Sequence, residues 1–363
     1  MTKDLYPKFR AAAVQASPVF LDRDATIEKV EHLVKKAVQG GADLVVFSES
    51  FIPAFPVWNN VHRPIDQHHF YRKLFDNAIT IGSVAFEKLA QIAKSNNVFL
   101  SIGVTEKGNI SMGAMWNTNL LFNREGKLIN RHRKLVPTWV EKLTWANGDA
   151  SHLEPVQTDI GRIGVLICGE NTNPLSRFSL LAQGEQVHIS TYPPAWPFQR
   201  ESVGKNYNLT NAIKLRAAAH SFEGKVFNIV SSSILDEDAI NQVSLGDESI
   251  ESILRNAPAP VSMIVDPTGE VIGKPLVGEE GIVQADIDIS DSIIWKQAHD
   301  VVGYYNRFDI FQLTVNKNAN NPIEIIHDSN ESASATNIKT NEERYKEDHN
   351  LLIRKEMEAL NQS

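Results

Sequence analysis

The stretch Gly161-Arg162-Ile163-Gly164-Val165-Leu166-Ile167-Cys168-Gly169-Glu170-Asn171 decides how this chain is read. An apolar run opened by glycine and closed by polar residues reads as a short strand that delivers a thiol to its tip. Cys168 is the single cysteine among 363 residues, so neither a disulfide within the chain nor a multi-cysteine metal site can form. A lone cysteine is most often a small buried apolar residue. The neighbouring motifs decide whether this one is more.

Outward from that strand, similar runs recur at Ala11 to Ala16, Leu44 to Phe47, Val98 to Val104, Asn119 to Phe122, Val187 to Ser190, Val226 to Val230, Val261 to Val265 and Ile282 to Ile287. Helical patterns lie between them. In Ala25 to Val38 the residues Ile27, Val30, Val34 and Val38 share one face, with Asp24 as the expected cap and Gly40-Gly41 as the stop. Ala85 to Ala93 and Leu209 to Ala219 also read as helices. This alternation predicts a layered α/β protein with helices over the sheet faces. No internal linker interrupts it, so one domain is expected over residues 7–317. The acidic stretch Leu235 to Asn256 is expected to be a surface excursion between strands. Residues 318–363 form a polar tail, in which Ile353, Met357 and Leu360 have the spacing of a short helix that docks on another subunit.

Hydrophobic residues make up 42% and charged residues 22% of the chain, ordinary globular usage. The formal charge of -8 and the lack of a basic run interleaved with aromatics argue against a nucleic-acid partner. No run approaches the roughly 18 apolar residues of a membrane span. The residues before Ala11 do not read as a signal peptide, so a cytoplasmic location is expected, where a thiol stays reduced.

Two further motifs place chemistry beside strand ends. Leu44-Val45-Val46-Phe47 runs into Ser48-Glu49-Ser50 and an aromatic loop with Phe51, Phe55 and Trp58. A carboxylate in that position is expected to have a raised pKa and to serve as a base near neutrality. Asn130-Arg131-His132-Arg133-Lys134-Leu135-Val136-Pro137 is a compact basic cluster followed by Trp139, Glu141 and Trp145. It is expected to be a loop folded over a pocket, with Lys134 available to meet developing negative charge. The nearest carboxylate to Cys168 in sequence is Glu170, so a base for the thiol is expected from elsewhere in the fold, with Glu49 and Lys134 as the candidates. The histidines show no coherent metal-ligand spacing.

Together these residues resemble the nitrilase branch of the carbon–nitrogen hydrolase superfamily. The likeness lies in Phe47 to Pro53 with Phe55-Pro56, in His132 to Thr138, in Glu141-Lys142-Leu143 through Trp145 to Gly148-Asp149, in Cys168 to Leu175 with Arg177-Phe178, and in Gly303 to Asp309. It implies a four-layer α-β-β-α sandwich over about residues 8–317. It also implies a Glu49, Lys134 and Cys168 triad, with Glu141 as a second glutamate that positions the lysine or substrate. Ser48 and Phe308 stand where the family usually has proline.

The activity implied is hydrolysis of an organic nitrile by water to the acid and ammonia, through a cysteine thioimidate and thioester, with no metal or organic cofactor. The backbone N–H of Gly169 is the expected oxyanion donor. Trp58, Trp139, Tyr192 and Trp196 are the expected pocket walls. A cyanide hydratase or dihydratase, an amidase of the same superfamily, and a catalytically silent assembly protein are the alternatives. A homo-oligomer is implied, at least a dimer built through helices near the nucleophile and extending in some relatives to a spiral.

Overall fold

The computed structural model describes residues 6–200 and 202–320. Along them run β1 (Lys8–Gln15), α1 (Arg23–Gln39), β2 (Leu44–Val46), α2 (His68–Asn77), α3 (Val84–Ser95), β3 (Phe99–Lys107), β4 (Met115–Phe122) and β5 (Leu128–Arg133). The second half contains β6 (Val156–Thr158), β7 (Gly161–Ile167), α4 (Pro174–Ala182), β8 (Val187–Tyr192), α5 (Leu209–Gly224), β9 (Phe227–Ser232), α6 (Glu237–Ser244), α7 (Glu248–Arg255), β10 (Val261–Val265), β11 (Val271–Val277), β12 (Gly281–Asp288) and α8 (Ser292–Ala298).

The strands form two sheets, ordered β12-β1-β2-β3-β4-β5 and β11-β10-β9-β8-β7-β6. The period of two, with both faces covered, explains why β1 is apolar from Ala11 to Val14. Ala11 and Ala13 face the second sheet, packed with Val165, Val187, Ile189 and Ile229. Ala12 and Val14 face outward, beneath Ile27, Val30 and Val34 of α1 and Leu89 and Ala93 of α3. On the far side, Leu209, Ile213 and Ala217 of α5 cover Val230, Met263 and Val265. The result is the four-layer α-β-β-α sandwich. β12 closes the first sheet by pairing antiparallel with β1, Lys8 opposite Asp288 and Gln15 opposite Gly281.

The structure corrects several local expectations. Helix α1 is capped by Asp22, which accepts from Ala25 N at 3.0 Å; Asp24 sits inside the first turn and bonds Arg23. Its carboxylate there still meets the positive end of the helix dipole. Residues 128–133 are not a pocket loop but strand β5, with Thr118 opposite Arg133 and Asn119 opposite His132. Their polar side chains hide the strand pattern. Outside, Arg131 and Arg133 converge on the buried Glu106 carboxylate; inside, His132 bonds Glu170.

The 235–256 excursion does lie between strands β9 and β10, but as helices α6 and α7, capped by Asp236 and Asp247. Their Ile240, Val243, Ile250 and Leu254 join the core. Strands β6 and β11 were not legible in the sequence, and neither were α2, α4 and α8. Among the described residues no helix is long and apolar enough to cross a membrane. The helix expected at Ile353, Met357 and Leu360 lies outside the described residues.

Candidate active site

Glu49 follows β2 on a tight turn in which Ser50 takes φ 43°. The turn lies directly on β3 because residue 103 is glycine: a Cβ there would stand 2.2 Å from Ser48 O and 2.5 Å from Ser50 N. Beyond the turn, Ile52 N donates to Gly103 O at 3.2 Å and Thr105 N to Ile52 O at 2.7 Å, pinning the exit. Glu49 is fully buried, and its Oε1 accepts from Asn117 Nδ2 and Lys134 Nζ, both at 2.7 Å.

Lys134 follows β5. Its N–H donates to Asn117 O and its carbonyl accepts from Gly148 N, each at 2.8 Å. Gly148 allows this approach, since a Cβ there would meet Arg133 O at 2.4 Å. The ammonium is held between Glu49 and Glu141, whose Oε2 accepts at 2.6 Å. Glu141 lies in the turn Trp139–Leu143, and the same Oε2 accepts from Thr138 N at 2.9 Å.

Cys168 is the first residue of the turn Cys168–Thr172 at the end of β7, in the left-handed region at φ 49°. Such a conformation is uncommon outside glycine and needs support from its surroundings. Part of that support is Glu170, whose carboxylate accepts from Ile167 N at 2.7 Å, Leu135 N at 2.6 Å and pairs with His132 Nε2 at 2.9 Å. Leu135 adjoins Lys134 and Ile167 adjoins Cys168, so one carboxylate ties the two strand ends, and the two sheets, together. Glu170 is thereby committed to structure rather than to the thiol. Burial raises its pKa, but the His132 charge and the hydrogen bonds outweigh burial and hold it below the usual carboxylate range.

Two carboxylates and one ammonium buried together leave a net negative charge around the thiol. Burial, opposed by Lys134 and reinforced by Glu141, lifts Glu49 from 4.5 to about 7. Burial and the Glu49 charge push the Cys168 thiol well above its ordinary value. Burial works to lower Lys134, yet the charges of Glu141, Glu49 and Cys168 outweigh it and keep the ammonium charged. The resting site thus holds a neutral thiol beside a carboxylate poised near neutrality. Glu49 Oε2 and Glu141 Oε1 are buried without partners among the described residues.

The proposed walls occupy different positions. Tyr192, Trp196 and Trp58 share one buried cluster with Cys168. Trp58 stacks on Phe70 at 5.1 Å and 14° and meets Phe20 edge-on, the contacts of a core residue. Trp139, 54% exposed, packs on Trp196 at 6.5 Å and Phe198 at 5.4 Å, forming an aromatic step from solvent. A Cβ on Gly169 would stand 2.9 Å from Thr138 Oγ1, so this backbone lies close under the Glu141 turn.

The sequence reading passed over Asn117 and Gly103, and it also missed Arg216. Arg216 reaches from α5 to Thr172 Oγ1 at 2.6 Å and Tyr207 Oη at 2.9 Å, within electrostatic range of Cys168. It further missed that Glu185, His188 and His220 meet, their ligand-type atoms within 4.8 Å of one another. None of these is adjacent in sequence to the motifs.

A buried thiol, carboxylate and ammonium thus meet at the strand ends of an α-β-β-α sandwich. The carbon–nitrogen hydrolase model matches residues 10–297, and the chain belongs to that family. It is similar to a nitrilase of Bacillus sp. (strain OxB-1), 35% identical over 325 residues covering 89% of this chain and 93% of that protein. It is also similar to a bromoxynil-specific nitrilase of Klebsiella pneumoniae subsp. ozaenae, 33% identical over 89% of each chain. Among solved structures, a carbon–nitrogen hydrolase of Helicobacter pylori G27 shares the fold with a TM-score of 0.65 at 18% identity, covering 84% of this chain and 97% of that one.

Proposed function

We propose that this protein is a nitrilase that converts an organic nitrile and water to a carboxylic acid and ammonia. The observation that carries the reading is the Lys134 ammonium held by Glu49 at 2.7 Å and Glu141 at 2.6 Å, in electrostatic contact with the Cys168 thiol. In this reading the free Oε2 of Glu49 takes the thiol proton as sulfur bonds to the nitrile carbon. The proton passes to the nitrile nitrogen, giving a covalent thioimidate. Glu49 then draws a proton from water as its oxygen adds to the same carbon. The charge of the tetrahedral intermediate is met by Lys134 and the Gly169 N–H. Glu49 returns that proton to the nitrogen, the hydroxyl proton follows as the C=O bond forms, the C–N bond breaks and ammonia leaves. A second water, deprotonated by Glu49, cleaves the remaining thioester to the acid, and its proton restores the thiol. Expulsion of the thiolate in place of ammonia would give the amide.

The aromatic step of Trp139, Trp196 and Phe198 supports an aromatic or arylaliphatic substrate. The test is ammonia release over aliphatic, aromatic and arylacetonitrile panels, with acid and amide quantified separately and trapped adducts weighed as intact protein. Cys168→Ala is expected to abolish turnover and adduct while leaving the circular dichroism spectrum unchanged. Turnover by that variant, or none by the parent on any nitrile, overturns the reading.

We further infer a homodimer through α4 and α5. Leu175 on α4 and Leu215 and Phe222 on α5 are exposed apolar side chains. Beside them a groove of about 1510 Å³ runs between α4 and residues 301–317, where Phe308 rests on Phe178 at 6.4 Å. Apolar surface of this kind on neighbouring helices supports a subunit contact.

A further inference from the structure

Behind the candidate nucleophile lies a buried polar chain that the mechanism above does not use. Asn171, Ser190, His188, Glu185 and His220 are all buried. They belong to the turn after β7, to β8 and the turn before it, and to α5. Asn171 Nδ2 lies 3.2 Å from Cys168 O and 3.1 Å from Leu166 O. Two carbonyls can face only donors, so the amide orientation is fixed and Oδ1 points the other way. That oxygen accepts from Ser190 Oγ at 3.1 Å and lies 2.9 Å from His188 Nε2, which must therefore carry a proton. The other ring nitrogen, Nδ1, stands 2.7 Å from Glu185 Oε1.

The His188 ring is thereby anchored at both nitrogens. Glu185 is also stabilised as an anion by His220, whose Nε2 donates to Oε2 at 2.7 Å. Burial raises the Glu185 pKa, but the His188 and His220 charges and hydrogen bonds outweigh it and bring it to about 2. Burial and the His188 charge push His220 down to about 4, so His220 is neutral. Arg177 on α4 acts on His220 and Lys296 on α8 acts on Glu185. The cluster thus ties α5, β8 and the turn after β7 together through hydrogen bonds.

We propose that Asn171 and His188 are positioning residues that lock the Cys168 carbonyl and so hold the thiol and the Gly169 N–H in their working orientation. The proposal rests on the reading of Cys168 as the nucleophile. A left-handed residue keeps its conformation only where its peptide groups are held, and Asn171 holds the carbonyl. Its own amide is aimed by His188, which in turn is anchored by Glu185.

The test uses the full chain. Asn171→Leu keeps the volume and removes the amide. It is expected to lower kcat by about 100-fold while KM changes far less, the signature of a displaced reacting group. Alkylation of Cys168 by iodoacetamide, followed by intact mass, is expected to slow by a similar factor, and it needs no knowledge of the nitrile. Absence of nitrile turnover in the parent would count against the nitrilase reading and leave the alkylation comparison standing. Nitrogen-15 spectra of histidine-labelled parent protein, assigned with His188→Gln, are expected to show a proton on His188 Nε2 at pH 7.5. A folded Asn171→Leu protein with parental kcat and alkylation rate overturns the positioning role. A His188 ring with no proton on Nε2 overturns the lock, and this second measurement decides the matter if the leucine variant does not fold.

Discussion

At the scale of single residues the site is governed by one imbalance: two buried carboxylates against one ammonium. In the proposed mechanism Glu49 must be ionised to accept the thiol proton, and its raised value of about 7 sets where that happens. kcat/KM is expected to fall on the acid side of about pH 7, with a slope of one proton, in a pH–rate profile. Unfolding does not mimic this limb. A carboxylate whose folded pKa lies above its ordinary 4.5 contributes stability that is complete below 4.5 and lost as the pH rises through about 7. Glu106 and Glu170, held below the usual range by Arg131 and Arg133 and by His132 respectively, run the other way and lose their contribution only below the ordinary carboxylate range. Circular dichroism at pH 6 and 8 is expected to match while the rates differ. Glu49 and Cys168 were legible in sequence because each follows an apolar run, and Lys134 because it closes a basic cluster ahead of Pro137 and Trp139. The raised value of Glu49 was legible from its place at a buried strand end, whereas the parts of Asn117 and Glu141 in holding the pair were not.

At the scale of elements, apolar strands such as β1, β2 and β7 could be read directly, because both faces of each are covered and the run is unbroken. Strand β5 could not. Its buried positions are Asn130 and His132, polar residues whose Nδ2 and Nε2 bond the His152 and Glu154 carbonyls and Glu170, partners far along the chain. The glycine at position 103 carried no signal either, because its purpose is the turn that lies on it. Gly103→Ala is expected to force the Ser48–Ser50 turn away from β3, costing about 1–3 kcal/mol as an overpacked site does. Because Glu49 sits at the centre of that turn, kcat is expected to drop more than KM changes. Urea unfolding together with steady-state rates measures both. A variant with parental kcat would show that the turn is not what places Glu49.

At the scale of the whole molecule, layer order followed from the alternation of strands and helices, but which surface is left for a second copy did not. Exposure of Leu215 and Phe222 on α5 becomes visible only once α5 is docked by Leu209, Ile213 and Ala217. Phe222→Glu is expected to lower the particle mass by light scattering, since it places a charge in the inferred apolar contact. A parental mass would move the contact elsewhere. Its effect on monomer stability is expected to stay within about 0.5 kcal/mol, as for other exposed positions.

The pairing of β1 with β12 bears on how the protein is made. Residue 8 finds its neighbour at residue 288, so during synthesis β1 waits for β12. Until then β1, an interior strand of the finished sheet, is a bare hydrogen-bonding edge, and the nascent chain is exposed to mispairing with its neighbours on a polysome. Contacts this distant in sequence close slowly, after local helices and hairpins have formed. The thiol at residue 168 is synthesised before several of its partners in the buried cluster, which extend to Val265, so its burial is complete only after β10 has emerged.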